Sequence, residues 1–305
     1  MKMKRFVSIV LCALLLLPVL AGCGAKTKTP AATTAPAATE APAAPAETET
    51  EAPAPLSEDV QKIVDRGVLR VGVKNAVLGF GFQDELTGEY TGMEISLAKK
   101  IAEYLGVDVE FTAVTAATRT ELLDSGDIDC APATFTLPEE RKKSWDFTTP
   151  YYTVYVTVLV EDASGIKTLG DLVDKKVGVS SGSTSAKALV KAMIEAGVIS
   201  GDGFDADTFD PATWTAGVSF AQYDDYPTIS TALSAGEVDA FCVDKSILAV
   251  YHTDGRSYID DKFSPQEYGI ATVKGSGMSE LCETLITGWL ADGTIDALIT
   301  ENGIA

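Results

Sequence analysis

The feature that most constrains this chain is an alternation of short apolar, β-branched runs with helical stripes, which begins near residue 57. The runs at 69–73, 108–114 and 154–160 have the length and composition of buried strands. The stretch "MEISLAKKIAEYLG" carries apolar residues at helical spacing and ends at Gly106. This alternation predicts an α/β fold with mostly parallel sheets. About 249 residues follow residue 56, which is enough for one large domain or for two lobes.

Two stretches that lie far apart in the chain repeat one pattern. The segments "LLDSGDIDCAPATFT" and "ALSAGEVDAFCVDKS" share Leu-x-x-Gly-acid-β-branched-Asp and start more than 100 residues apart. Each reads as a helix end, a glycine turn and a buried strand, so we expect one in each of two lobes. Thr134 and Thr136 follow the first strand, and Asp244 and Lys245 follow the second. Because ligands bind outside the carboxyl ends of such strands, these residues are candidates for one cleft. Taken alone, the pattern also fits an ordinary helix-to-strand turn.

The N-terminus has the features of an export signal. A basic start, Met-Lys-Met-Lys-Arg, precedes an apolar run from Phe6 to Leu20 and the sequence Leu-Ala-Gly-Cys ending at Cys23. This predicts a signal peptide over residues 1–22. The cysteine resembles that of the lipobox of bacterial lipoproteins, which implies that Cys23 is lipidated and anchors the protein to the outer face of the cell membrane. The alternative is an ordinary signal peptide with a coincidental cysteine.

Residues 23–56 consist largely of Ala, Thr, Pro and Glu, a composition that predicts a disordered tether. At this length its mean reach is on the order of 30 Å. Without the signal peptide the chain has 21 cations against 44 anions, a net charge of −23. A charge of this size repels nucleic acid and anionic lipid, so neither is expected as a partner.

Cysteine and histidine use argues against several kinds of site. Cys130, Cys242 and Cys282 remain in the folded part, an odd number whose spacing fits no metal motif. We therefore expect buried free thiols, with no metal site and no cofactor. His252 is the only histidine and ends an apolar segment, so we expect it at a helix end or on the surface rather than beside a nucleophile.

Four stretches in order carry a family resemblance. They are "GVLRVGVKNAVLGFGFQDELTGEYTGMEISLAKKIAEYLG", "TFTLPEERKKSWDFTTPYY", "VGVSSGSTSAKA" and "VDAFCVDKSIL". The sequence from residue 56 onward resembles the polar amino-acid solute-binding proteins of ABC importers. Within that family it is most similar to the aspartate/glutamate-binding branch, through Lys74 after "VGV", Arg119 in "ATR", Tyr226 in "DDYP" and Lys245 in "VDK".

The resemblance implies the two-lobed periplasmic-binding-protein fold of type II. Its first lobe would comprise residues 57–152 and 274–305, and its second lobe residues 157–268. Two crossings, "TTPYYTVYV" and "QEYGIATV", would form the hinge. The implied function is capture of an amino acid outside the cytoplasm by closure of the cleft, followed by delivery to the permease of an ABC transporter. A monomer is expected.

The same resemblance assigns ligand-binding roles. Arg141 matches the arginine that binds the α-carboxylate, and Asp244 matches the carboxylate that receives the α-ammonium. The hydroxyl and backbone groups around these two ends of the ligand match Thr134, Thr136, Ser183 and Thr184. The groups near a side-chain carboxylate match Lys74, Arg119 and Tyr226. Lys245 is also a candidate, although it could point away from the cleft.

Charge favours an acidic ligand. A guanidinium presents a planar fork that binds a carboxylate through two parallel hydrogen bonds. The predicted site has three cations, Lys74, Arg119 and Arg141, and one anion, Asp244, so its net charge is +2. An acidic amino acid brings a net charge of −1. A neutral ligand would leave two buried cations without a partner, which costs several kcal/mol.

Three alternatives remain open at this stage. Within the same class, the protein could bind glutamine or cystine. The fold also hosts dehydratase-like enzymes, but these need a general acid or base, and Asp244 is the only carboxylate in the predicted site. A sensor module would usually carry fused signalling segments, which we do not expect here. The prediction is therefore a binding protein without enzymatic activity. The long acidic loop at 200–220 could shape specificity or face the permease.

Overall fold

The computed structural model describes residues 55–304. Its strands are β1 (Val68–Val73), β2 (Ala76–Val77), β3 (Gly81–Gln83), β4 (Tyr90–Thr91), β5 (Asp108–Ala113), β6 (Trp145–Phe147), β7 (Tyr152–Glu161), β8 (Lys175–Ser180), β9 (Val218–Tyr223), β10 (Ala240–Asp244), β11 (Arg256–Tyr258), β12 (Phe263–Tyr268) and β13 (Ala271–Val273). Its α-helices are α1 (Glu58–Arg66), α2 (Met93–Leu105), α3 (Thr118–Ser125), α4 (Glu139–Lys142), α5 (Ser185–Glu195), α6 (Tyr226–Ser234), α7 (Lys245–Leu248), α8 (Gly277–Ala291) and α9 (Thr294–Glu301).

The strand and helix patterns of the sequence correspond closely to these elements. The runs at 69–73, 108–114 and 154–160 form β1, β5 and most of β7. The stripe that begins at Met93 forms α2, which ends where Gly106 adopts a left-handed conformation with φ 68°. Glycine takes this conformation without steric cost, so it ends the helix where the sequence predicts.

The first lobe is built around β1 and β5, which pair in parallel from Val68↔Asp108 to Val73↔Ala113. A single parallel bridge between Val71 and Cys130 pairs the segment around Cys130 with β1. Helix α2 packs on both strands, and α1 and α8 pack on each other near them. Leu69, Val71 and Val73 of β1 are fully buried, and so are Leu97 and Ile101 of α2, so β1 lies in the core of this lobe.

The second lobe contains a six-stranded sheet in the order β11-β7-β10-β8-β9, with β12 also paired to β7. Strands β9, β8 and β10 are parallel, whereas β10, β11 and β12 all pair antiparallel with β7. The prediction of mostly parallel sheets is therefore wrong for the described residues. Strand β7 accounts for three antiparallel pairings, and the pairings of β2 with β3, β3 with β4 and β6 with β13 are also antiparallel.

The chain crosses between the lobes twice. Strands β6 and β13 pair antiparallel on one side, and β7 and β12 pair antiparallel on the other, starting at Tyr152↔Tyr268. The segments 148–151 and 269–270 join these two pairs. The predicted α/β class and two-lobed fold are confirmed. The residue boundaries given above for each lobe stay a prediction.

Cys130, Cys242 and Cys282 are buried and free, and His252 is exposed and stacks on Tyr258 with ring centroids 4.4 Å apart. Within residues 55–304, no helix combines the length and apolar character needed to span a bilayer. The predicted signal peptide and lipidated Cys23, and all but the last two residues of the predicted tether, lie outside the described residues.

Candidate functional site

Nine of the ten predicted ligand contacts line two adjoining cavities. The first cavity is lined by the predicted contacts Arg119, Thr134, Thr136, Arg141, Ser183, Thr184, Tyr226 and Asp244. The second cavity is lined by Lys74 and again by Tyr226. Both cavities have walls from the first and the second lobe.

Arg141 connects the two lobes. It lies in the short helix α4, and its Nη1 donates to the Thr136 carbonyl at 2.9 Å while its Nη2 donates to the Gly182 carbonyl at 2.9 Å. Burial lowers the pKa of Arg141 to about 9, so the guanidinium stays cationic at neutral pH. Its partners are neutral carbonyls, which leaves its charge available for an anion.

Arg119 is anchored within the first lobe. Its side chain is 3% exposed, and its Nη1 donates to the carbonyls of Ala133 at 2.8 Å and Thr134 at 3.1 Å. The guanidinium carbon lies 3.6 Å from the centroid of the Phe135 ring, in cation–π contact. Burial lowers the pKa of Arg119 to about 10, and within the described residues its Nε has no hydrogen-bond partner.

Lys74 follows β1 and reaches the second lobe. Its side chain is 3% exposed, and its Nζ lies 5.5 Å from the ring centroid of Tyr226. Burial, reinforced by the charge of Arg119, holds the pKa of Lys74 well below its usual range. Burial also raises the pKa of Tyr226, which therefore stays neutral. A negative charge bound in this cavity would stabilise the protonated, cationic form of Lys74.

Asp244 ends β10 and is 5% exposed. Its Oδ2 accepts a hydrogen bond from the Tyr268 hydroxyl at 2.5 Å. Burial raises the pKa of Asp244 to about 6, although the Tyr268 hydrogen bond and the nearby cations oppose the shift. At neutral pH the group is a carboxylate with capacity to accept further hydrogen bonds.

The four hydroxyl residues occupy two edges of the cavity. Thr134 is strained, because its φ of 45° is positive and a β-branched residue rarely adopts it. The carbonyl of Thr136 already binds Arg141, and the Thr184 hydroxyl donates to Gln266 Oε1 at 2.8 Å. The Ser183 N–H donates to the Ser180 carbonyl, so this conformation does not offer it to a ligand. Thr184 directly precedes α5, whose N-terminal dipole favours an anion.

Lys245 does not join this group. It is exposed at the start of α7, and its Nζ lies 5.5 Å from the ring centroid of Tyr258. It lines a separate groove at the hinge, together with Tyr152 and residues 302–304. Successive side chains of a strand point to opposite faces, so a residue next to Asp244 does not share its direction. The structure therefore places Lys245 apart from the other nine predicted contacts.

Glu94 lies beside the predicted contacts, although the sequence patterns did not indicate it. It is fully buried in the first turn of α2 and lies close enough to Lys74 and Arg119 for its charge to interact with theirs. Its carboxylate reduces the predicted charge of the site from +2 to +1. A signal was present, because Glu94 shares the helix face of Ala98 and Ile101, which are apolar and buried. Phe135 and Tyr268 were also missed.

The two lobes meet beside the cavity. The Lys187 ammonium forms an ion pair with Glu140 of the first lobe at 2.5 Å, and it also donates to the Ala206 carbonyl at 3.4 Å. Ala206 belongs to the long acidic loop, where Phe204 and Trp214 pack edge to face with centroids 5.9 Å apart. The loop therefore lies at the rim of the cleft rather than far from it.

Comparison with known proteins identifies a family, but it does not confirm the predicted aspartate/glutamate branch. The family of bacterial extracellular solute-binding proteins, family 3, matches residues 69–203. A glutamine-binding protein of Geobacillus stearothermophilus is 31% identical over 279 residues, which are 89% of this chain and 93% of that protein.

Among solved structures, an ancestral arginine-binding protein bound to arginine has 34% identity and a TM-score of 0.64, covering 77% of this chain and 98% of that one. The ancestral amino acid-binding protein AncCDT-1, described as a precursor of cyclohexadienyl dehydratase, has 30% identity and a TM-score of 0.65. It covers 80% of this chain and 98% of its own.

Proposed function

Because the chain belongs to family 3 of the bacterial extracellular solute-binding proteins, we propose that it captures aspartate or glutamate outside the cytoplasm for an ABC importer. Binding of an amino acid for ABC transport follows from the family and its relatives. The acidic specificity is our own inference from the charges of the site.

The observation that carries this specificity is the pair of buried cations Lys74 and Arg119. Within the described residues neither forms an ion pair with a carboxylate. A buried charge without a partner costs several kcal/mol, and a ligand carboxylate would remove that cost. With Glu94 and Asp244 counted, the site carries +1, which an acidic amino acid brings to zero.

The ligand would be held at three points. Arg141 would bind the α-carboxylate, with the N-terminus of α5 nearby, and Asp244 would accept the α-ammonium. Lys74 and Arg119 would bind the side-chain carboxylate, and the ring of Tyr226 would close that end of the cavity. Since these groups come from both lobes, binding would favour the closed cleft.

Glutamine is the second candidate, because the relative from Geobacillus stearothermophilus is described as a glutamine-binding protein. This would require Lys74 to be neutral in the complex, and burial lowers the pKa of Lys74 in that direction. An enzymatic function has less support. AncCDT-1 is described as a precursor of a dehydratase, but Asp244, the one carboxylate that lines the first cavity, would be committed to the ligand ammonium.

Lipid attachment at Cys23, anchoring to the cell membrane and a monomeric state also belong to this proposal. They rest on the sequence resemblance alone. A thermal-shift screen of the purified protein against the twenty amino acids tests the function, since a ligand at 100 times its Kd adds about 2.7 kcal/mol of stability. Aspartate or glutamate should give the largest shift, and a panel without any response would contradict amino-acid binding.

Acid pH is expected to weaken the binding of every amino acid, because Asp244 must be ionised to accept the α-ammonium. Its pKa is about 6 in the free protein, where Tyr268, Arg119, Arg141 and Lys74 face it, and an ammonium partner lowers it in the complex. Such a group contributes affinity above its free pKa and loses it as pH falls. Calorimetry between about pH 5 and 8 should show glutamate and glutamine weakening together below about pH 6. Equal affinity throughout would exclude this role.

Alkaline pH is expected to weaken glutamate more than glutamine. A ligand carboxylate stabilises the Lys74 ammonium and raises its pKa in the complex, so affinity is complete below the free pKa and falls above it. The ionisable groups that face Lys74 are Arg119, Glu94, Arg141 and Asp244. Glutamate and glutamine share the α-amino group, so its titration cancels in the ratio of their affinities. The pH dependence that remains in this ratio reports the titration of Lys74. A ratio that stays constant with rising pH would show that Lys74 does not contact the side-chain carboxylate.

A further inference from the structure

Glu94 is a buried acid with an unusual set of contacts. Its Oε1 accepts two hydrogen bonds, from the Thr134 N–H at 2.6 Å and from the Tyr151 hydroxyl at 2.6 Å. Its Oε2 has no hydrogen-bond partner within the described residues. A buried acid of this kind is costly to retain, so a role beyond packing is expected.

The hydrogen bond to Thr134 connects Glu94 to the candidate site. Thr134 holds its positive φ while its N–H donates to Glu94 and its carbonyl accepts from Arg119. One residue therefore links the carboxylate to the guanidinium. A change at Glu94 would alter the position of the two carbonyls that hold Arg119.

The charge of Glu94 acts on the same groups. Burial raises its pKa, whereas the hydrogen bonds from Tyr151 and Thr134 and the charges of Lys74 and Arg119 lower it. Two donors on one oxygen and two nearby cations favour the carboxylate form. The ionised group attracts both cations and repels a ligand carboxylate that binds to them.

We propose that Glu94 is a positioning residue that sets the specificity of the site for ligand charge. Its negative charge partly compensates Lys74 and Arg119, which limits how strongly the site prefers an acidic to a neutral amino acid. Its hydrogen bond to Thr134 fixes Arg119 where the ligand side chain ends. This inference rests on the proposed function, because it assumes that the ligand side chain lies beside these two cations.

The test is the ratio of glutamate to glutamine affinity in Glu94→Gln, measured by calorimetry near neutral pH and at rising pH. The amide keeps an acceptor for Thr134 and Tyr151 but removes the charge, so the ratio should shift toward glutamate by roughly tenfold. The pH at which glutamate affinity begins to fall should also decrease, because Lys74 loses a stabilising neighbour. A structural role alone would not move this pH.

Two matched variants control the experiment. Tyr151→Phe removes one hydrogen bond from the same oxygen and keeps the charge, so its affinity ratio should stay within about twofold of wild type. Glu94→Asp keeps the charge on a shorter side chain, so it should keep the pH at which glutamate affinity begins to fall. If Glu94→Gln leaves both the ratio and the pH dependence unchanged, or if Tyr151→Phe shifts the ratio equally, the proposal is wrong.

A folding defect would not prevent the test. Thr134→Gly relieves the positive φ, since glycine adopts it freely, so the pair Thr134→Gly and Thr134→Gly/Glu94→Gln gives the same comparison. A wild-type protein that prefers glutamine would contradict the proposed acidic specificity. The shift in the glutamate-to-glutamine ratio would still be measurable in that case. The acidic specificity and the role of Glu94 can therefore be contradicted independently of each other.

Discussion

Replacing Arg141 by methionine is expected to abolish measurable binding of all amino acids. Every amino acid carries the α-carboxylate that Arg141 is proposed to bind, and the side chain also joins the lobes through Thr136 and Gly182. Loss of one partner from a buried charge pair costs about 2–5 kcal/mol. Calorimetry with aspartate, glutamate, asparagine and glutamine measures the effect.

The adjacent residue supplies the control. Lys142 is also cationic and lies in the same helix, but its ammonium is bound to the exposed Glu139 at 2.8 Å. Lys142→Met should therefore leave all four affinities within about twofold, as expected for an exposed ion pair. If Arg141→Met retains near wild-type affinity for any of the four ligands, Arg141 does not hold the α-carboxylate.

Replacing Arg119 by methionine is expected to separate acidic from neutral ligands. It removes a cation that would pair with a side-chain carboxylate, so aspartate and glutamate should weaken by about 2–5 kcal/mol. Asparagine and glutamine should be spared or should bind more tightly, because an uncompensated charge is gone. The same four-ligand calorimetry measures the effect.

Arg119 also holds the carbonyls of Ala133 and Thr134, so a general loss of structure needs its own readout. The thermal midpoint of the ligand-free variant provides it. If all four ligands weaken equally, Arg119 is structural or contacts the α-carboxylate, and the acidic specificity loses its main support.

Much of the fold could be predicted because local and global signals agree. The period of the apolar residues defines β1 and α2, and Gly106 ends α2 through its left-handed conformation. The direction of β7 could not be predicted in this way. An apolar strand has the same composition whether its neighbours run parallel or antiparallel, so the antiparallel crossing was visible only in the structure.

The candidate site was predictable where residues follow strand ends or resemble a family pattern. The supporting contacts could not be predicted, because they join residues that are distant in the sequence. Tyr268 and Asp244 are 24 positions apart, and Glu94 and Thr134 are 40 positions apart. Phe135 was hidden between two candidate threonines, although its ring lies under the guanidinium of Arg119. Lys245 lies apart from the other predicted contacts, because adjacency in sequence to Asp244 does not give the same direction in space.

The most direct test of the central claim is calorimetric titration of the wild-type protein with aspartate, glutamate, asparagine and glutamine near neutral pH. The buried cations Lys74 and Arg119 predict that an acidic amino acid binds at least tenfold more tightly than its amide, a difference of about 1.4 kcal/mol or more. Tighter binding of glutamine than of either acidic amino acid would contradict the acidic specificity, while leaving the protein in the amino-acid-binding family.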